Sequence, residues 1–248
     1  MGSREVLFRT YAYTHLDKLD ADEAGKLSWF RAYLKFAYVP HLSPFERGRS
    51  RVLDVGCSAG YLLRAFHEEG FQELHGIDLS PEDVGRAVDR TPGAQVVCGE
   101  AREYLLAHPK YFDVIVAKAI LEHTEKDHCL AFLQALRSAL REGGVALVDV
   151  PNMDWLFSPH ERYMDFTHEV GFTQESLSQV MRNVFDRVEV VPVVFSAMRS
   201  PLGRLRRRLA RRLLGTLLTW AEPEVRTNPI WARSLLAVGR DGGNEGLG

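Results

Sequence analysis

Nowhere in this chain do apolar residues run for the ~18 or more positions that a membrane-spanning helix needs. The opening stretch MGSREVLFRTYAYTHLDKLD carries scattered charges and no apolar signal core, which argues against export. Cysteine is scarce: Cys57, Cys98 and Cys129 are odd in number and show no CxxC spacing. A disulfide frame or a cysteine-zinc site is thereby excluded, and reduced thiols in a cytoplasmic protein are expected. There is no excess of one charge sign, since the formal net charge is -2. Internal repeats and low-complexity tracts are also missing, which excludes solenoid and disordered classes.

What is present is an alternation of short β-branched runs with helical patterns from about residue 51 onward. VLDV (52–55), ELHGIDL (73–79), QVVCGE (95–100), FDVIVAKAI (112–120) and VALVDVP (145–151) read as successive strands. Between them lie YLLRAFHEEG, SPEDVGRAV and DHCLAFLQALRSALREGG, each a helical pattern. Ser80 is an expected N-cap, with Pro81 at the first helical position and Glu82 and Asp83 near the positive end. Continuously apolar strands alternating with helices imply a parallel sheet covered on both faces. After Pro151 the segment PNMDWLFSPHERYMDFTHEVG is aromatic, polar and irregular, suiting a loop over a site. A helix capped by Thr173 with Glu175 in its first turn follows, then late strands at 188–195 and 234–240.

The stretch VLDVGCSAG raises the question of function. A strand that enters a helix through Gly56 and Gly60 lets a ligand approach where side chains would block it. In an open parallel sheet, ligands bind at the carboxyl ends of the strands. Asp78 ends the second strand at the spacing where an acidic residue meets ribose hydroxyls in nucleotide-binding units, and Glu100 ends the third on the same edge.

In order, VLDVGCSAG, GIDLS, CGEA and FDVIVAKAILEH resemble the successive motifs of class I S-adenosylmethionine-dependent methyltransferases, over roughly residues 50 to 150. Ser58 stands where that family usually has its central glycine. The resemblance implies an α/β, Rossmann-like, doubly wound and mostly parallel seven-stranded sheet with an antiparallel final strand. It implies that the loop from Asp54 through Gly56, Cys57 and Gly60 holds the methionine end of S-adenosylmethionine. Asp78, with Leu79, would meet the ribose; Glu100 and Ala101 would lie by the adenine, and Lys118 would border the cofactor.

Methyl transfer to a hydroxyl needs an aligned acceptor and a base to take its proton. Glu122 and His123 follow the fourth strand, and Asp165, His168 and Glu169 lie in the irregular loop. His123 or His168 is expected as the base, with Asp165 orienting it or the acceptor; His108, His128 and His160 are expected at the surface. Some hydroxyl methyltransferases carry ExxEH and a later histidine that bind a divalent metal. Here Ala119 replaces the first glutamate, leaving Glu122, His123 and His168. Metal-free base catalysis is therefore expected, with a metal-assisted small-molecule methyltransferase as the alternative. A further alternative is a cofactor-binding scaffold without catalysis.

RYMDFTHEVGFTQESL also resembles methyltransferases associated with bacterial polysaccharide and glycolipid assembly, which points to a sugar hydroxyl as acceptor. Trp155, Phe157, Tyr163 and Phe166 would then stack on a sugar face. Between Arg199 and Trp220 the chain has no acidic residue, and Leu202, Leu205, Leu209, Leu213, Leu217 and Trp220 recur at helical spacing among arginines. This basic amphipathic insert, about 199–222, suits peripheral contact with the inner membrane face, an anionic acceptor, or packing on the domain or a second subunit as a homodimer. With no second basic surface, nucleic acid is not the expected partner. Residues 1–50, rich in aromatics such as Tyr11, Tyr13, His15, Trp29, Phe30, Tyr33, Phe36 and Tyr38, are expected to form an N-terminal helical lid on a catalytic domain spanning 51–248.

Overall fold

The computed structural model describes residues 22–195, 201–222 and 229–242. Tyr11, Tyr13, His15 and Arg199 lie outside the described residues. Helix α1 (Glu23–Tyr33) begins at Asp22, whose carboxylate accepts from the Gly25 amide. It runs on through a wide π turn (Leu34–Tyr38) and a tight turn (Val39–His41). Then come β1 (Val52–Val55), α2 (Tyr61–Glu68), β2 (Leu74–Asp78), α3 (Pro81–Arg90), β3 (Gln95–Cys98), α4 (Ala101–Ala107) and β4 (Phe112–Lys118). The second half comprises α5 (Cys129–Ala139), β5 (Leu140–Pro151), α6 (Ser158–Tyr163), α7 (Gln174–Arg182), β6 (Arg187–Val193), α8 (Pro201–Ala221) and β7 (Ser234–Arg240).

The seven strands form one sheet in the order β3-β2-β1-β4-β5-β7-β6. β1 pairs in parallel with both β2 and β4, so the chain reverses its direction of growth there. β7 alone runs antiparallel to its neighbours, β5 and β6. The expected doubly wound sheet with a reversed final strand is therefore the fold observed.

Two apolar clusters lie on opposite faces, and alternate strand residues feed them. Leu53, Ile115, Ala146 and Val148 pack with Leu133, Leu136, Leu177 and Met181 on one face. On the other, Val52, Val114, Val116 and Leu147 pack with Tyr33, Leu34, Leu63 and Phe66.

Several expected boundaries move. The helical pattern read over 127–144 stops at Ala139, and β5 already begins at Leu140. Gly143 (φ +76°) and Gly144 explain this: a Cβ on Gly144 would lie 2.9 Å from the Arg141 carbonyl and 3.1 Å from that of Asp113. This close approach coincides with a register shift in the β4–β5 pairing between Phe112 and Val114. The irregular segment after Pro151 contains the short helix α6. Thr173 caps α7 as expected, in a capping box with Ser176. His128 and His160 are exposed, but His108 is half-buried, its Nδ1 2.8 Å from the Tyr104 carbonyl.

Candidate active site

The β1–α2 turn is built on left-handed backbone at Gly56 (φ +70°), Ser58 (φ +45°) and Gly60 (φ +79°). A Cβ on Gly56 would meet Ile120 Cδ1 at 2.1 Å, and one on Gly60 would meet the Ala87 backbone at 2.8 Å. The Gly56 and Cys57 amides donate to the Ile77 carbonyl at 2.8 and 3.1 Å, and Gly60 donates to Cys57 at 2.9 Å. These amides are thus spent holding the turn against β2. What the glycines contribute is a close, side-chain-free approach rather than a ring of open donors. Cys57 is buried, its Sγ turned towards Gly76, where even a methyl group would lie 2.9 Å from it.

Asp78 ends β2 beside this turn. Its Oδ2 accepts from the Ser58 amide at 2.8 Å and its Oδ1 from Ser80 at 2.9 Å, so the carboxylate fixes both loops while keeping lone pairs for a ligand. Burial pushes its carboxyl up, partly offset by those backbone donors. Asp54, fully buried at the end of β1, is pushed up to about 8 by burial and by the charge of Asp78, against the pull of Lys118. Leu79 is largely exposed next to Asp78. Glu100 follows β3 and caps α4, accepting from Arg102 and Glu103 at 2.8 and 3.2 Å, with Ala101 at the first helical position. The edge therefore gathers a carboxylate able to meet a diol, an exposed aliphatic surface for a flat ring, and a turn stripped of side chains.

Lys118, at the end of β4, is held by an ion pair and an aromatic ring. Its Nζ lies 3.2 Å from Asp149 Oδ2, and 4.4 Å from the centroid of the Tyr33 ring. Tyr33 and Tyr38 both donate to the same Asp149 oxygen, at 2.5 and 2.8 Å. The described part of the front piece is thus pinned to the carboxyl edge of the sheet. It is also tied to α2 and α3 by Arg31–Glu68, Lys35–Glu69 (2.9 Å) and Glu23–Arg90 (2.8 Å).

Directly after β4 the chain bends at Ala119 (φ +55°), whose amide donates to the Asp149 carbonyl at 2.8 Å. The bend carries Ile120 against Gly56 and puts Glu122 and His123 in a buried turn (Leu121–His123). The Glu122 carbonyl accepts from Glu169 and Val170 at 2.8 and 3.1 Å, which locks the irregular loop over this turn. Three predicted residues meet there. The His123 and His168 ring centroids are 4.7 Å apart, and Glu122, His123 and His168 each bring one ligand atom within 4.8 Å of the others. Thr167, which the sequence reading passed over, joins Asp165 to His123. Its Oγ1 donates to Asp165 Oδ1 at 2.7 Å and lies 2.8 Å from His123 Nδ1. With its one proton given to Asp165, Thr167 can only accept from His123, so the His123 proton sits on Nδ1 and the basic lone pair on Nε2. His168 Nδ1 lies 2.9 Å from the Glu161 carbonyl, which can only accept, and this sets the same tautomer. Glu169 itself is exposed. Of the aromatics expected over the site, Tyr163 and Phe166 are the most exposed.

A family model described as "Methyltransferase domain" matches residues 28–200. Among curated proteins, the tRNA U34 carboxymethyltransferase of Hahella chejuensis is 33% identical over 170 residues, which cover 64% of this chain and 48% of that protein. The ubiquinone biosynthesis O-methyltransferase of Xylella fastidiosa is 31% identical over 159 residues, covering 58% of this chain and 61% of that protein. The chain spans about half the length of the curated relatives it matches. Among solved structures, a SAM-dependent methyltransferase from Archaeoglobus fulgidus aligns with a TM-score of 0.65 at 20% identity, covering 88% of this chain and 96% of that one. Phosphoethanolamine N-methyltransferase 2 of Haemonchus contortus, solved with S-adenosyl-L-methionine, aligns at a TM-score of 0.60 and 17% identity, covering 95% and 60%. At these identities the structural likeness is one of fold. The expected association with polysaccharide and glycolipid enzymes is not supported by these relatives. The domain match and the sheet order agree, and the chain belongs to the methyltransferase-domain family.

Proposed function

We propose that this enzyme methylates a hydroxyl oxygen, with His123 as general base. The observation that carries the reading is the buried series Asp165–Thr167–His123, which holds the imidazole in one tautomer with its basic nitrogen on Nε2. Bound S-adenosylmethionine supplies an electrophilic methyl, so the protein's part is to align the acceptor and receive its proton. Asp78, Leu79 and the Gly56–Gly60 turn suit the ribose, adenine and methionine portions. The acceptor would approach from the side of the loop carrying Asp165 to His168. Tyr163 and Phe166 on that loop favour an acceptor with a flat face, and we retain a sugar hydroxyl as its chemical class. The likeness to a ubiquinone O-methyltransferase is consistent with oxygen as the accepting atom.

A second reading rests on Glu122. Both its carboxylate oxygens are buried without a hydrogen-bond partner, beside the two histidines. Two imidazoles and a carboxylate suit a divalent transition metal such as zinc with an open position. Glu122, His123 and His168 would then be the ligands, and Thr167 and the Glu161 carbonyl would orient the rings. A cation there would polarise the acceptor hydroxyl.

The test uses methyl-labelled S-adenosylmethionine with separate sugar-nucleotide and glycolipid, quinone-precursor and RNA fractions, with and without chelator. Label in a sugar fraction is expected; label only in quinone precursors would keep oxygen but move the acceptor class, and label confined to RNA would overturn the reading. Thr167→Val should lower kcat by about 10²-fold with cofactor affinity kept, and Thr167→Ser should restore most of it. A wild-type rate in Thr167→Val would remove His123 as the oriented base. A rate lost to chelator and regained with zinc would select the metal reading.

A further inference from the structure

Helix α8 presents its faces the wrong way round for a helix held only by packing on its own domain. Over Pro201–Ala221 it carries no acidic residue. Leu202, Leu205, Leu209, Leu213, Leu217 and Trp220 fall within an arc of about 120° at 3.6 residues per turn. Every one of them is exposed, Leu202 at 64%, Leu213 at 66% and Trp220 at 85%. The opposite side meets the protein: Gly215 is buried, Leu218 is half-buried, and the Arg211 guanidinium sits 5.7 Å from the Trp231 ring centroid. Burial there lowers the Arg211 pKa, a cost that no acidic neighbour in the helix offsets. So the side bearing Arg211, Gly215 and Leu218 faces inward while a stripe of five leucines and a tryptophan faces out; Arg206 falls within the arc of the stripe and Arg212 just beyond one border, and both are exposed, as is Arg208.

We infer that this stripe is a docking surface for an anionic lipid bilayer, which the helix meets lying flat. Exposed leucines would enter the headgroup–acyl boundary while the bordering guanidiniums stay at the phosphates. Tryptophan at one end is a residue suited to that interface. No described helix is long and apolar enough to cross a membrane. A second copy of this chain suits the stripe less well. An isologous contact between two such helices would bring arginine rims together with no acidic residue in either helix to answer them. The neighbourhood of the site also supports a membrane. The turn Pro229–Trp231 that underlies Arg211 receives the Leu156 amide on its Ile230 carbonyl at 3.1 Å. Leu156 opens the loop bearing exposed Phe157, Tyr163 and Phe166, so the acceptor loop and α8 adjoin one structural turn. The inference does not depend on which acceptor is methylated.

Vesicle flotation of the full chain tests it, comparing phosphatidylcholine vesicles with vesicles that also contain phosphatidylglycerol. Binding should require phosphatidylglycerol and weaken as salt is raised. Arg212→Gln should lower partitioning about fivefold, from about 1 kcal/mol per cation near the surface. Leu213→Ser, at an exposed position, should lower it without moving the melting temperature, and Trp220→Phe should remove the fluorescence blue shift that vesicles cause. Absent binding, or equal binding to neutral vesicles, would overturn the inference. So would a dimer in sedimentation that Leu213→Ser dissolves.

Discussion

Glu122 sits fully buried after β4, and that burial pushes its carboxyl up to about 8 from the usual 4.5. The folded protein therefore holds a proton on Glu122 across a range where the unfolded chain has released it. Below about pH 4.5 both states are protonated and the group is neutral to stability; above about 8 both are ionised and the folded state bears the whole cost of a buried charge. Stability should thus fall as pH rises between those limits, by roughly 1 kcal/mol per pH unit at its steepest. Glu122→Gln keeps the shape without the ionisation, so urea titrations at pH 5 and pH 8 should show a smaller loss than in the parent (both pH values are about the two ends of that window). An unchanged pH dependence would mean that Glu122 is ionised throughout, as a bound cation would make it. Thr167 belongs to this scale too, since one hydroxyl decides which nitrogen of His123 is basic.

At the scale of elements, the front helix is the informative case. α1 would ordinarily end near Tyr33, yet it widens into a π turn that carries Tyr38 inward with Tyr33 to a shared oxygen of Asp149. Burial, and then the Asp149 charge, hold both phenols protonated well above their ordinary range, so they remain donors at any working pH. Lys118 completes the arrangement at 3.2 Å. A carboxylate that is 1% exposed needs such company. Tyr38→Phe should destabilise by about 1.5–3 kcal/mol in urea unfolding, the range for a buried hydrogen bond to a charged group. If the front piece acts as a lid, the same substitution should also raise the KM for S-adenosylmethionine.

At the scale of the whole molecule, the carboxyl edge of the sheet joins parts that are far apart in sequence. Asp54 lies one residue before the end of β1, Asp78 ends β2, Glu100 follows β3 and Ile120 follows β4, and parallel pairing brings all four strand ends to one side. A ligand bound there stabilises only the folded chain. Saturating S-adenosylmethionine at about 100 times its Kd should add about 2.7 kcal/mol and raise the melting temperature accordingly. Asp78→Ala should abolish most of that rise in a thermal melt; a full rise would remove Asp78 from the cofactor site.

Much of this was legible in the chain itself, because the relevant signals are local. Strands β1, β2 and β4, the caps at Ser80 and Thr173, and the glycine turn follow from residue type and spacing within a few positions. Their order along the chain implied the doubly wound sheet and its ligand edge. Other features depend on partners distant in sequence. The end of α5 at Ala139 depends on how closely Gly144 approaches Asp113, and Thr167 gains its role only when the loop is locked onto Glu122. Lys118, read as a cofactor neighbour, also pairs with Asp149, the carboxylate that Tyr33 and Tyr38 reach from over a hundred residues earlier in the chain. The amphipathic pattern of α8 was equally plain, but a periodic stripe states only that one face is apolar. Whether that face meets the core or the solvent is decided by what the rest of the fold leaves for it to touch, and here the opposite side, through Arg211, meets Trp231.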